Sequence, residues 1–209
     1  MMKANIIGSS QGKLRIEALR SGGVTEIADF LRDLEMAYNA VYHLLGDIQL
    51  LCHYDGHRHH IFELGGIASF YFLGNFTETV AERLVNPKYA LGLGKVSINS
   101  PGFWEFLGGV NPLLHIREYL KERAERKKDT EYRNASEKEK LELENEILRH
   151  TVTKGINEEM RQQVRFLREM GIDEQTIRDL VWSRVGPQFA KLGNHQDNGL
   201  IAGPIDEGG

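Results

Sequence analysis

The alternation of apolar and polar residues predicts that the chain begins with a strand followed by a long helix. Lys13 to Leu19 alternate apolar and polar residues, which is typical of a half-buried strand. Ser21-Gly22-Gly23 end that strand. From Val24 to Leu45 the apolar residues recur at spacings of three and four, so we predict one amphipathic helix that ends at a glycine cap, Gly46.

A similar order of strand, turn and helix is predicted a second time, 79 positions later. Leu93 to Asn99 has strand character, and Ser100-Pro101-Gly102 forms the turn. We predict a helix from Phe103, with Ser100 as its N-cap and Pro101 in its first turn. Two explanations stay open at this stage: an internal duplication giving two equivalent halves of one sheet, or a chance match of a few residues.

The segment between these two copies carries the cues of a β-hairpin. Asp47 to Cys52 and His59 to Leu64 are short apolar runs on either side of Asp55-Gly56, and Asp-Gly favours a tight turn between strands. Thr77 to Val85 has helical spacing and stops before a proline, so a short helix is predicted there.

The second half of the chain predicts two further helices. A long, highly charged segment beginning near Ser136 carries one apolar stripe at spacings of seven, four and three. Asp173 is the predicted N-cap of the next helix, whose own stripe runs from Ile177 to Leu192 and ends before Gly193. We expect residues 194–209 to form a flexible tail, with a docking peptide in 194–201 as the alternative.

These elements together predict an α+β fold. A small sheet with two strand-turn-helix half-repeats is followed by a helical C-terminal region that includes a long helix. The expected organisation is a flexible leader over 1–12, an α+β domain over 13–116, a helical region over 117–193 and the tail over 194–209.

Composition and charge limit the classes of function. The chain has 209 residues, a formal net charge of -4 and a single cysteine, Cys52. A negative net charge provides no general attraction for nucleic acid or anionic membranes, and a lone cysteine fits a reducing compartment. The most apolar stretch, Ile61 to Phe76, contains three glycines and is short for a membrane span. We therefore expect a cytoplasmic protein without a transmembrane segment.

The predicted hairpin contains the residues that most invite a metal. Strand alternation places His57 and His59 on one face, and Asp55 and His53 are nearby donors of the types that transition metals accept. A third ligand would have to come from elsewhere, for example His115. The hypothesis that follows is a small metal-dependent hydrolase; the opposing interpretation is a polar hairpin tip without a cofactor.

Two other clusters have a structural interpretation beside a functional one. The basic residues between Arg117 and Arg133 alternate with acids at helical pairing distances, which indicates a solvated helix rather than a nucleic-acid surface. The aromatic residues Phe103, Trp104 and Phe106 are expected in the core, with a ligand pocket as the alternative.

The long apolar stripe leads to the function that we favour from sequence. A stripe on so charged a helix requires a surface to cover it, either within the chain or on a second copy or partner, for example as a coiled coil. The predicted interaction residues are Leu141, Leu148, Val152, Met160, Val164 and Leu167. We expect a non-catalytic cytoplasmic assembly or adaptor protein that needs no cofactor; the metal-dependent hydrolase is the alternative.

Overall fold

The computed structural model describes residues 11–54, 85–97, 102–129 and 173–205, together with the isolated positions 136, 139, 165, 168 and 169. The side chains of residues 47–54, 174, 178 and 180 are not described. The elements are β1 (Gln11–Ala18), α1 (Val24–Tyr54), β2 (Gly92–Ser97), β3 (Gly102–Gly109), α2 (Val110–Lys128), α3 (Glu174–Asp197) and β4 (Ile201–Pro204). The predicted α+β class is confirmed.

The four strands form one antiparallel sheet in the order β2-β3-β1-β4. Alternation along the two central strands gives the sheet one apolar face. Leu14 and Ile16 of β1 lie next to Trp104 and Phe106 of β3, and all four side chains are buried. The Phe30 ring of α1 packs on both aromatic rings, with centroids 5.1 and 6.2 Å away. The helices therefore cover this face. The other face, which we call the polar face, carries the charged side chains of β1 and β3 together with Phe103 and Leu107.

Helix α1 extends beyond the predicted end at Gly46. It continues to Tyr54, so the stretch from Asp47 to Cys52 is helical and is not the first strand of a hairpin. The reason is visible in the spacing: Leu44, Ile48 and Leu51 continue the apolar stripe at intervals of four and three. A glycine within a helix costs only about 1 kcal/mol relative to alanine, so one glycine does not end a helix whose stripe continues.

The hydroxyl of Tyr38 joins α1 to two other segments. It accepts a hydrogen bond from the backbone N–H of Gly109, at 2.7 Å, and donates one to the carbonyl oxygen of Tyr89, at 2.5 Å. Burial raises the pKa of this phenol, so it remains protonated and able to donate near neutral pH. These bonds fix the segment that leads into β2 against the junction of β3 and α2.

The second predicted helix begins later than expected. Residues 102–109, which include Phe103 and Trp104, form strand β3, and the helix starts only at Val110. The aromatic run has helical spacing, but it also alternates between the two faces of a sheet, and pairing with β1 over eight positions selects the strand. The first turn therefore leads into a helix, whereas the second lies between two strands.

Helices α2 and α3 complete the core. Asp173 caps α3 as predicted, accepting a hydrogen bond from the Thr176 backbone N–H at 3.0 Å. The described apolar residues of the predicted stripe are buried: Ile177, Val181, Val185, Phe189 and Leu192. Helix α2 spans 110–128, across the expected domain boundary at 116, and it joins the same core as the sheet.

The segment expected as a tail is ordered through residue 205. Helix α3 continues past Gly193 to Asp197, and β4 then pairs with β1. Gly199 makes the turn between them with a φ of +69°, a backbone conformation that glycine adopts without steric cost. Leu200 and Ile201 are fully buried, so apolar burial holds this segment in place. Gln11 and Gly12 of the expected leader likewise belong to β1.

Candidate functional site

Three consecutive polar residues at the end of α3 each contact a different part of the fold. His195, Gln196 and Asp197 are brought together by the last turn of the helix, and successive residues of a helix point about 100° apart. We call this set the α3 polar junction. Because α3 ends between α1, α2 and β4, the three side chains together reach all of these elements: His195 contacts α1, Gln196 contacts α2 and β4, and Asp197 contacts α2.

His195 contacts α1. Its Nε2 atom lies 2.9 Å from a carboxylate oxygen of Asp33, and its ring meets the Phe30 ring edge-on at 5.5 Å. The imidazole is in the last helical turn, where the negative end of the helix dipole favours a cation. Nearby, a hydrogen bond from Arg20 lowers the pKa of Glu26.

Gln196 contacts both α2 and β4. Its amide nitrogen donates to the carbonyl oxygen of Leu120, at 3.0 Å, and to that of Ala202. The side chain is 4% exposed, so both acceptors are satisfied away from water by one amide. This residue therefore holds the final strand against α2.

Asp197 neutralises a buried cation. Its carboxylate pairs with the guanidinium of Arg123, a side chain that is almost fully buried, and with Lys127 Nζ at 2.6 Å. A Cβ atom at Gly193 would lie 2.5 Å from the Tyr119 hydroxyl and 3.0 Å from Arg123, so the helix needs a glycine there. A buried guanidinium requires a carboxylate partner of this kind, because an uncompensated buried charge is strongly destabilising.

The group of the α3 polar junction with the most chemical potential is the imidazole of His195, which lies against the Asp33 carboxylate. A carboxylate on one ring nitrogen can orient an imidazole as a general base. The described residues contain no group of three or more His, Cys, Asp or Glu side chains placed to hold a metal ion. Since all three side chains of the junction bond to neighbouring elements, we interpret it as the contact set that fixes the C-terminal segment to the domain.

Only one of the four residues predicted as metal ligands lies in the part of the chain that the structure describes. His53 lies in the last turn of α1, while Asp55, His57 and His59 are outside the described residues. His115, considered as a third ligand, and a further histidine, His43, both lie in helices. His43 is half-buried against the Tyr42 ring at 5.5 Å, and burial lowers the pKa of His115 to about 4. His115 is therefore a neutral core side chain of α2.

The other residues singled out in the sequence also include some that the structure describes and some that lie outside the described residues. The predicted interaction residues Leu141, Leu148, Val152, Met160, Val164 and Leu167 lie outside the described residues. In the basic segment, Arg123 and Lys127 bond to Asp197, so these two cations serve the fold. Trp104 belongs to the core, as expected.

The pairing of His195 with Asp33 could not be anticipated from spacing. The two residues are 162 positions apart, and neither lies in a recognisable motif. The available signal was the run Asn194-His195-Gln196-Asp197, an unusually polar end for a helix. We expected this polar run to begin a flexible tail. It is instead partly buried, because α1, α2, α3 and β4 meet there.

Comparisons of the chain with protein-family models, with curated proteins and with solved structures find no match. Among the helices in the described part of the chain, none combines the length and the apolar character needed to cross a membrane.

Proposed function

We propose that the protein is a non-catalytic cytoplasmic assembly protein that acts through helix-mediated self-association. The proposed interface is the apolar stripe of residues 141–167, and the proposed partner is the same stripe of a second copy. The observation that carries this proposal is the burial of the α3 stripe within the domain core, because α3 is the helix on which the longer stripe would otherwise fold back.

The α3 stripe is occupied by contacts within the domain. Val185, Phe189 and Leu192 are each no more than 1% exposed and belong to the core that includes the sheet, α1 and α2. The Phe189 ring packs on Tyr119 of α2, with centroids 4.9 Å apart. This supports a covering surface from outside the domain, since a long amphipathic helix gains most of its stability from tertiary packing.

The start of the proposed interface helix has a local signature. The backbone N–H of Ser136 donates to the Glu139 carboxylate at 2.9 Å, and the Glu139 N–H points back to the Ser136 hydroxyl at 3.4 Å. This reciprocal arrangement is a capping box, which marks a helix N-terminus. The Ser136 backbone N–H lowers the pKa of the Glu139 carboxyl, so the cap is charged at neutral pH. These contacts support a helix beginning five residues before Leu141.

Light scattering coupled to size exclusion tests the proposal. We expect the wild-type mass to rise with concentration to that of an oligomer, and Leu148→Glu to reduce it to the monomer mass. The matched control is His150→Glu, which places the same charge two residues away on the opposite side of the predicted helix and should leave the mass unchanged. A concentration-independent monomer mass for the wild type would refute the proposal.

Metal analysis of the same fractions separates this proposal from the hydrolase alternative. We expect no stoichiometric transition metal. About one equivalent of metal that disappears in His57→Ala and His59→Ala would instead establish the His-rich segment as a metal site, and would contradict a purely non-catalytic role.

A further inference from the structure

Among the strands that the structure describes, β2 lies at an edge of the sheet and pairs on one side only. Five of its six residues are exposed, and two of them are large apolar residues, Leu93 at 50% and Val96 at 44%. One side of β2 is paired with β3, and β2 is the last strand in the sheet order on that side. An edge strand with exposed apolar side chains is a template for pairing with another strand.

The register with β3 determines which face each β2 residue occupies. Leu93 and Val96 are opposite Phe106 and Trp104, the buried residues of β3, so both lie on the helix-covered face. Ser97 and Gly92 are opposite Phe103 and Leu107, on the polar face.

The two middle residues of β2 lie on the polar face. Lys95 is opposite Glu105, and its ammonium lies 5.7 Å from the centre of the Phe103 ring. A Cβ atom at Gly94 would point at the Leu107 side chain, 3.0 Å away. The pairing with β3 shifts its register between Leu93 and Lys95, so Gly94 is the extra residue of a β-bulge. Along Gly92–Ser97 the residues therefore lie on the polar, helix-covered, polar, polar, helix-covered and polar faces, in that order. The order is the same when the strand is followed from its other end.

We propose that β2 pairs antiparallel with β2 of a second copy of this chain, about a two-fold axis between Gly94 and Lys95. The two four-stranded sheets would become one of eight strands. In this register each residue faces a residue of the same face: Gly92 opposite Ser97, Leu93 opposite Val96 and Gly94 opposite Lys95. The residues of this surface are different from those of the proposed helix interface, and the inference goes beyond that proposal.

The chemistry of the strand fits that register. On the helix-covered face, Leu93 and Val96 of both copies form one four-residue apolar cluster, which removes two half-exposed side chains per copy from water. On the polar face each Lys95 is opposite a glycine, so the two ammonium groups are not directly opposed. The contact of Lys95 with Phe103 also draws its charge over the sheet and away from the edge. A bulge normally discourages edge pairing, but here it produces the symmetric face pattern.

Disulfide trapping tests the register directly. In a Cys52→Ser background, Leu93→Cys and Val96→Cys are made as two separate proteins and oxidised alone and as an equal mixture. Opposed residues of an antiparallel pair have Cβ atoms about 4.5–5.5 Å apart, within reach of a disulfide. In the same register Leu93 of one copy is offset from Leu93 of the second copy by three positions, about 10 Å, and the same holds for Val96. That distance is too long for a disulfide.

We therefore expect a covalent dimer from the mixture and little from either protein alone. Only a dimer that contains one copy of each protein has two opposed cysteines. Random assortment of an equal mixture makes about half of the dimers of this kind, which sets the ceiling on the cross-linked fraction. Equal cross-linking of the single proteins, or none in the mixture, would overturn the proposal. Circular dichroism of each variant confirms that it is folded.

Repeating the experiment with Leu148→Glu in both proteins separates the two interfaces. Cross-linking that persists in that background supports edge pairing independent of the helix stripe, even if the helix proposal fails. If cross-linking is seen without Leu148→Glu and lost with it, edge pairing requires the helix interface. That result would contradict our proposal that β2 pairs with β2 of a second copy on its own.

Discussion

The two edges of the sheet differ in how the chain treats them. At one edge, β4 is enclosed: Ile201 is fully buried, and Gln196 donates hydrogen bonds that hold Ala202 next to α2. At the other edge, β2 leaves Leu93 and Val96 about half exposed. Both are terminal strands of the same sheet, yet only β4 is covered by side chains from the end of α3.

This difference between the two edges is the basis for the pairing that we propose at β2. The segment that contains β4 is held by the three bonded polar residues at the end of α3, of which the buried Gln196 bonds to β4 itself, and by a left-handed glycine turn. No comparable contacts are found for β2 among the described residues. An edge that the chain encloses contributes to stability, and an open edge with apolar side chains is suited to association.

Truncation of an apolar side chain at each edge should give the largest contrast. We expect Ile201→Ala to lower the free energy of unfolding by about 2–5 kcal/mol, because it leaves a cavity in the core. The matched change on the open edge, Val96→Ala, should cost less than about 0.5 kcal/mol in the monomer. Urea denaturation measures both at one low protein concentration. Equal losses would show that the two edges are equally integrated.

Lowering the pH should reduce the free energy of unfolding through His115 of α2. Burial lowers the pKa of this imidazole to about 4, below its ordinary value of 6.5, so the unfolded chain binds an extra proton between these two pH values. Stability contributed by the neutral imidazole is present above pH 6.5 and is lost as the pH falls toward 4. The full loss is about 3 kcal/mol at about 1.4 kcal/mol per pKa unit.

The variant His115→Leu isolates that contribution. Its unfolding free energy should fall less than the wild type's between pH 6.5 and 4, by about the same 3 kcal/mol, as measured by urea denaturation at a series of pH values. Identical pH profiles for the two proteins would mean that His115 is not the group responsible.

The glutamine that holds β4 should matter less than the core residue but more than an exposed glutamine. Gln196→Met keeps the side-chain volume and removes a donor from two carbonyl oxygens, so we expect a loss of about 2 kcal/mol. Gln175→Met, on the exposed side of α3, removes a hydrogen bond to Asp179 and should change stability by less than about 0.5 kcal/mol. Hydrogen exchange of the β4 amides should rise only in the first variant.

A glycine-to-alanine pair gives the smallest expected effect. Gly199→Ala meets no atom within 4 Å, so its cost of about 1 kcal/mol reflects only the left-handed backbone conformation. Gly92→Ala on the open edge has ordinary backbone angles and its nearest contact at 3.8 Å, so it should be neutral or slightly stabilising. Thermal unfolding at matched concentrations compares them, and a larger loss at Gly92 would reverse the interpretation.

Local patterns predicted the elements whose signals were unambiguous. The alternation around Leu14 and Ile16 indicated β1, and the cap at Asp173 indicated the start of α3. The same patterns misplaced the ends: α1 continues through Gly46, and α3 through Gly193, because tertiary packing outweighs the weak preference of glycine for helix ends. The α3 polar junction was missed, since its bonds join residues far apart in the chain.

The sequence by itself determined the α+β class, the first strand and the apolar stripes of α1 and α3, since these depend on periodicity within a few turns or residues. Tertiary structure decided what periodicity left ambiguous. The run around Trp104 is a strand because β1 pairs with it, and the run after Gly193 is helix and strand because it meets α1, α2 and β1. Those contacts join positions from 74 to 188 residues apart, beyond the reach of any local pattern.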